Sequence, residues 1–76
     1  MIFHQDINDS QLRSLIRKGV IVFAGNRKLR IYGTLTCKSG KRMKKHNRVF
    51  FGNASEAWAK GYRPCGHCMK LEYRKW

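Results

Sequence analysis

Two cysteines spaced as Cys65-Gly66-His67-Cys68, with a third 28 residues upstream at Cys37, set the terms on which this chain can fold. The chain has 76 residues, and a domain of that length buries only about 60% of the surface its unfolded form exposes. A core so thin calls for a staple: disulfides, a metal or a partner chain. The cysteine count is odd and two of the three form a C-x-x-C, which argues against a secreted disulfide framework. The opening residues carry Asp6 and Asp9 and no apolar run, unlike a secretory leader. No stretch approaches the ~18 apolar residues of a membrane span. The expectation is a soluble, cytoplasmic, monomeric chain without a membrane partner, whose thiols stay reduced and open to a metal.

C-x-x-C on its own fits a zinc knuckle, a redox pair or two core cysteines. Zinc suits it best, because a tight turn, permitted by Gly66, brings two thiolates within ~2.3 Å of one ion. A thioredoxin-like pair opens a helix after a strand, whereas this one follows a helix and Pro64. Zinc is therefore the expected cofactor and Cys37, Cys65 and Cys68 the expected ligands. Tetrahedral zinc takes a fourth donor, for which His67, His46, His4 and water are the candidates. His67 is disfavoured because side chains inside a knuckle point away from the ion.

Seventeen Lys and Arg against four Asp and Glu give a net charge of +13, so the chain binds anions. Backbone phosphates are the best match, because each neutralised phosphate releases a counterion whatever the base sequence. Six of the eleven residues from Lys38 to Arg48 are basic. Lys38, Lys41, Arg42, Lys44, Lys45 and Arg48, with Arg30 on a neighbouring hairpin, are the expected phosphate contacts. A solvated loop that only keeps the chain soluble is the plain alternative. RNA stays open as a partner, since Tyr32, Phe50, Phe51 and Tyr62 have faces on which bases stack, although such aromatics in a small chain are usually core.

With 42% hydrophobic residues the chain has enough apolar content to fold. The pattern predicts one α+β domain over residues 1–76, a short antiparallel sheet with flanking helices. Leu12, Leu15 and Ile16 at helical spacing give a first helix over 8–18, capped by Asp9 or Ser10 and stopped by Gly19. Val20–Phe23 reads as a strand, Gly25-Asn26 as a turn, and Leu29–Tyr32 as the return strand ended by Gly33. Val49–Phe51 gives a third strand. Asn53 or Ser55 caps a second helix that Gly61 ends, and Met69–Trp76 starts a third.

The blocks Asn47-Arg-Val-Phe-Phe51, Ala54-Ser-Glu-Ala57 and Gly61-Tyr-Arg-Pro-Cys-Gly-His-Cys68 together resemble the metal-binding domain of the Ada DNA methylphosphotriester repair protein. The likeness is strongest to the small stand-alone versions of that domain and spans about residues 22 to 70. It implies a zinc-stapled α+β fold with four cysteine ligands, one of which takes a methyl group from a DNA phosphotriester. It also implies a DNA partner and a DNA-repair setting, with Arg63 as a phosphate contact or a brace of the site. The family's first cysteine pair reads C-x-x-x-C with the first cysteine as acceptor. Anchored on the Phe-Phe and Tyr-Arg-Pro-Cys blocks, Cys37 falls on the second of that pair and Gly33 on the acceptor. In that register the chain lacks a nucleophile and is a DNA-backbone binder only. In the shifted register Cys37 becomes the acceptor of a single-turnover methyl transfer, with Lys41 in place of a ligand.

Overall fold

A computed structural model describes residues 1–37 and 43–76. In chain order the elements are β1 (Ile2–Phe3), α1 (Asp9–Arg17), β2 (Phe23–Asn26), β3 (Ile31–Thr34), β4 (Arg48–Phe51), α2 (Ala54–Ala59), β5 (Arg63–Pro64) and α3 (Lys70–Lys75). The strands form one sheet in the order β1-β4-β2-β3-β5. The fold is α+β, but the sheet is mixed where an antiparallel one was expected. β5 adds in parallel to β3, pairing Ile31 with Arg63 and Tyr32 with Pro64. The two residues of β5 and the two of β1 are too few for a periodic signal, so pairing decides them.

The β2–β3 hairpin lies about three residues further along the chain than its composition suggests. Val20 and Ile21 donate their N–H groups to Leu15 O at the end of α1, and ladder-type bonding to Phe51 O begins only at Val22. Gly25 is therefore a strand residue. A Cβ there would lie 2.9 Å from the Phe51 ring and 3.2 Å from Val49, so the glycine serves close packing rather than a turn. The turn follows, over residues 27–30. Asn26 Oδ1 accepts from the N–H groups of Lys28 and Leu29, and Arg30 takes a left-handed backbone at φ 59°.

Capping explains the helix starts. Asn8, not Asp9 or Ser10, caps α1 in a reciprocal box with Gln11. Asn53 caps α2 by accepting from the Glu56 N–H. Gly19 and Gly61 follow the two helices at φ 75° and 82°, where a side chain would be strained.

The core is one cluster: Tyr32, Val49, Phe51, Ala57, Tyr62 and Met69. Phe51 meets Tyr62 edge-on at 4.9 Å, and Phe23 meets Tyr32 at 5.4 Å. Tyr32 is fully buried, and its hydroxyl accepts from the Trp58 indole N–H at 2.7 Å. The aromatics weighed as base-stacking surfaces, Tyr32, Phe50, Phe51 and Tyr62, are all buried. Neither α1 nor α3 contains a buried residue. The centre of the molecule is therefore the β2–β3–β4 sheet with α2 and the segment that carries Cys65 and Cys68. Among the described residues no helix is long and apolar enough to cross a membrane.

Candidate metal centre

Three chain segments deliver the cysteines. Cys37 follows β3 and is tied back by its N–H to Thr34 O at 3.2 Å. Cys65 prolongs the parallel ladder past β5, donating its N–H to Tyr32 O at 2.7 Å. From there the chain turns, and the Met69 N–H bonds Cys65 O at 3.0 Å, which brings Cys68 round beside Cys65.

The three sulfurs lie within 4.8 Å of one another, in a half-buried to buried setting. Cys37 Sγ and Cys65 Sγ are 3.8 Å apart. A tetrahedral zinc with bonds of ~2.3 Å holds its sulfurs about 3.8 Å apart, so this edge already has the required length. Backbone donors point at the sulfurs as well: the Thr34 N–H at Cys68 Sγ and the His67 N–H at Cys65 Sγ, each at 3.4 Å. Such bonds stabilise thiolates rather than thiols. Burial pushes the Cys68 thiol above its ordinary range, and the Thr34 N–H opposes that push. A bound cation would reverse the balance, since a coordinating thiol gives up its proton outright. Donor type, spacing and surrounding N–H groups all fit zinc.

Gly33 completes the cluster from below. A Cβ placed on it would lie 2.6 Å from Cys68 Sγ, 3.2 Å from Cys65 Cβ and 3.9 Å from Cys37 Cβ. A side chain at position 33 would therefore face all three cysteines. No histidine belongs to the cluster among the described residues. His67 is exposed on the turn of the knuckle, and His46 is exposed in a short 3-10 turn over Lys45–Asn47. His4 is buried instead against the ring of Phe50 at 5.2 Å, with burial first and the charges of Arg48 and Lys45 next keeping it below its usual range.

The basic residues divide. Lys38, Lys41 and Arg42 lie outside the described residues. Arg48, Asn26, Ile31 and Arg63 occupy one row across β4, β2, β3 and β5, which sets Arg48 and Arg63 on one face about 14 Å apart at ~4.8 Å per strand. Lys44 and Lys45 are exposed just before β4, and Lys45 pairs loosely with Asp9 at 4.0 Å. Arg30 is exposed at the turn, lies over the Tyr62 ring and bonds Lys60 O. Arg63 lies over the Tyr73 ring, with its centre 5.4 Å from the centroid.

Sequence reasoning missed the Thr34 N–H, since backbone donors leave no trace in composition. It also missed the cavity of about 390 Å³ that opens beside Cys37 and Cys65.

A family model described as the metal binding domain of Ada matches residues 18–70 of this chain. No curated protein and no solved structure gives a significant match.

Proposed function

Because the chain belongs to the family of Ada metal-binding domains, we propose that it is a zinc-stapled module that binds the DNA phosphate backbone and has lost the family's methyl acceptor. Cys37, Cys65 and Cys68 are its metal ligands. The observation that carries the reading is Gly33, which faces the three cysteines and offers no sulfur. When bound, zinc keeps the thiols ionised and ties the segment after β3 to the knuckle. The residues around it do the rest. Thr34 and His67 N–H groups orient two of the sulfurs. Arg48 and Arg63 face one way across the sheet, and Arg30, Lys44 and Lys45 add positive charge at its margins.

Among the described residues no element resembles a recognition helix, which supports affinity for phosphates rather than for base edges. Binding of duplex DNA by the zinc-loaded chain should fall steeply with salt. About six phosphate contacts would give a slope near −5 in log K against log salt. A flat slope refutes DNA-backbone binding. Equal or stronger binding to an RNA duplex or an acidic polypeptide in direct competition would move the function to that partner.

A second reading rests on Cys37, a half-buried sulfur that borders two separate hollows of the surface. In that reading Cys37 is a single-turnover methyl acceptor in DNA repair. Intact mass after exposure to methylphosphotriester DNA separates the two. No change supports the first reading, and a gain of ~14 Da, one methyl, located on Cys37 establishes the second.

A further inference from the structure

We infer that Gly33 leaves the cysteine cluster one donor short, and that the cavity beside it admits a small thiol bearing a carboxylate as the missing donor. This rests on the three-cysteine zinc site proposed above. The cluster holds three sulfurs and no histidine, aspartate or glutamate among the described residues. The five residues outside the description, 38–42, include none of these types and no cysteine either. Zinc with three protein ligands keeps its fourth position for a molecule from outside.

The space is there. The cavity beside Cys37 and Cys65 measures about 390 Å³, within the range of about 300–1,000 Å³ typical of small-molecule sites. Leu29, Ile31, Met43 and Tyr73 give it an apolar wall, which suits a short alkyl chain. Arg63 also lines it, and among the described residues no carboxylate forms an ion pair with that guanidinium. A soft, all-sulfur donor set favours a further thiolate over an oxygen ligand. A phosphate would find one arginine, with Asn26, Thr34 and His67 the other polar side chains of a mostly apolar lining, and would leave the sulfurs unused, whereas a mercapto acid has a group for the cysteines and a group for Arg63. On entry the thiol would yield its proton to solvent, its thiolate would serve as the fourth donor to a metal held by Cys37, Cys65 and Cys68, and its carboxylate would pair with Arg63.

The test uses the full chain loaded with cobalt(II) and titrated with 3-mercaptopropionate. The thiolate-to-metal absorption should rise by about a third as three sulfurs become four. Gly33→Cys carries the same Cβ contact with Cys68 Sγ as alanine would, but its own sulfur can serve as the fourth donor, so once loaded it should start at that higher level and not respond to added thiol. Should Gly33→Cys fail to fold, Arg63→Gln gives an independent readout. It should weaken 3-mercaptopropionate about fivefold, the scale of one partly exposed ion pair, and leave 2-mercaptoethanol unchanged. Bound cobalt whose spectrum ignores saturating thiol, or cobalt stripped from the protein by the thiol, overturns this inference and leaves the three-cysteine site standing. Absence of any thiolate-to-cobalt absorption overturns both. Equal binding of both thiols by Arg63→Gln and wild type refutes the carboxylate contact.

Discussion

Replacing Gly33 by alanine adds a single methyl group whose destination is fixed by the backbone. Its carbon would lie 2.6 Å from Cys68 Sγ and 3.2 Å from Cys65 Cβ. Non-bonded heavy atoms settle at roughly 3.5–4.0 Å, so the sulfur has to retreat by about 1 Å. Without metal this is easy, because Cys68 Sγ ends a short side chain that can rotate away. With zinc bound the sulfur is held in place, so the methyl group strains the loaded state more than the zinc-free one, in which only the 3.2 Å contact with Cys65 Cβ persists. Overpacking of this kind costs about 1–3 kcal/mol, which as a metal dissociation constant is an increase of about 5- to 150-fold. Competition for zinc against a chelator of known affinity measures it, and a melt of the zinc-free chain supplies the control. Zinc affinity equal to wild type would refute the placement of Gly33 beneath the sulfurs, and with it the reading of this residue as the lost fourth donor.

Gly25→Ala should destabilise the fold by about 1–3 kcal/mol through its clash with Phe51 and Val49, seen as a lower Tm by about 4–8 °C per kcal/mol. Trp58→Phe should cost about 1–3 kcal/mol in urea unfolding, because it orphans the buried Tyr32 hydroxyl. Burial keeps His4 neutral, so its folded pKa lies below the unfolded value of 6.5. Its contribution is complete above pH 6.5 and is lost as pH falls through the lower folded value, because the unfolded chain then binds the extra proton. Denaturation across that window should show a stability loss on acidification that His4→Phe removes, and an unchanged slope in the variant would contradict the burial.

What sequence made legible follows from how local each signal is. Helix ends were readable because Asn53, Gly19 and Gly61 act on their own neighbours. The β2–β3 hairpin was misplaced because Gly25 looks like a turn residue, while its actual role, clearance for the Phe51 ring, depends on a strand more than twenty residues away. β1 and β5 were invisible for the same reason: two residues carry no period, and only the partner strand makes them β. At the site the order reverses. The three cysteines announce themselves by type and spacing, and the structure brings their sulfurs together. The large apolar side chains of α3 are not core: Leu71, Tyr73 and Trp76 are 67, 47 and 61% exposed. A six-residue helix presents too short a face to bury a stripe of its own.

The position of the cysteines explains how such a site can lose a donor without losing the fold. β5 is held to β3 by a two-residue parallel ladder, as short as the β1–β4 pairing and the one parallel junction in the sheet among the described residues. The cluster sits at the end of that ladder and joins three segments: the residues after β3 through Cys37, the end of β5 through Cys65, and the approach to α3 through Cys68. Met69, next in sequence to Cys68, is itself a core residue, so the staple and the apolar cluster form one cooperative unit. Three sulfurs suffice to make those joins. A fourth from position 33 would return to β3, which Cys37 already ties through its N–H bond to Thr34 O. Its structural return is small and its chemical one large. In the proposed function, glycine at that place leaves the mechanical role of the metal intact and withholds the thiolate a methyl transfer would use, while the surrounding positive charge, which depends on neither, is what would attract phosphate.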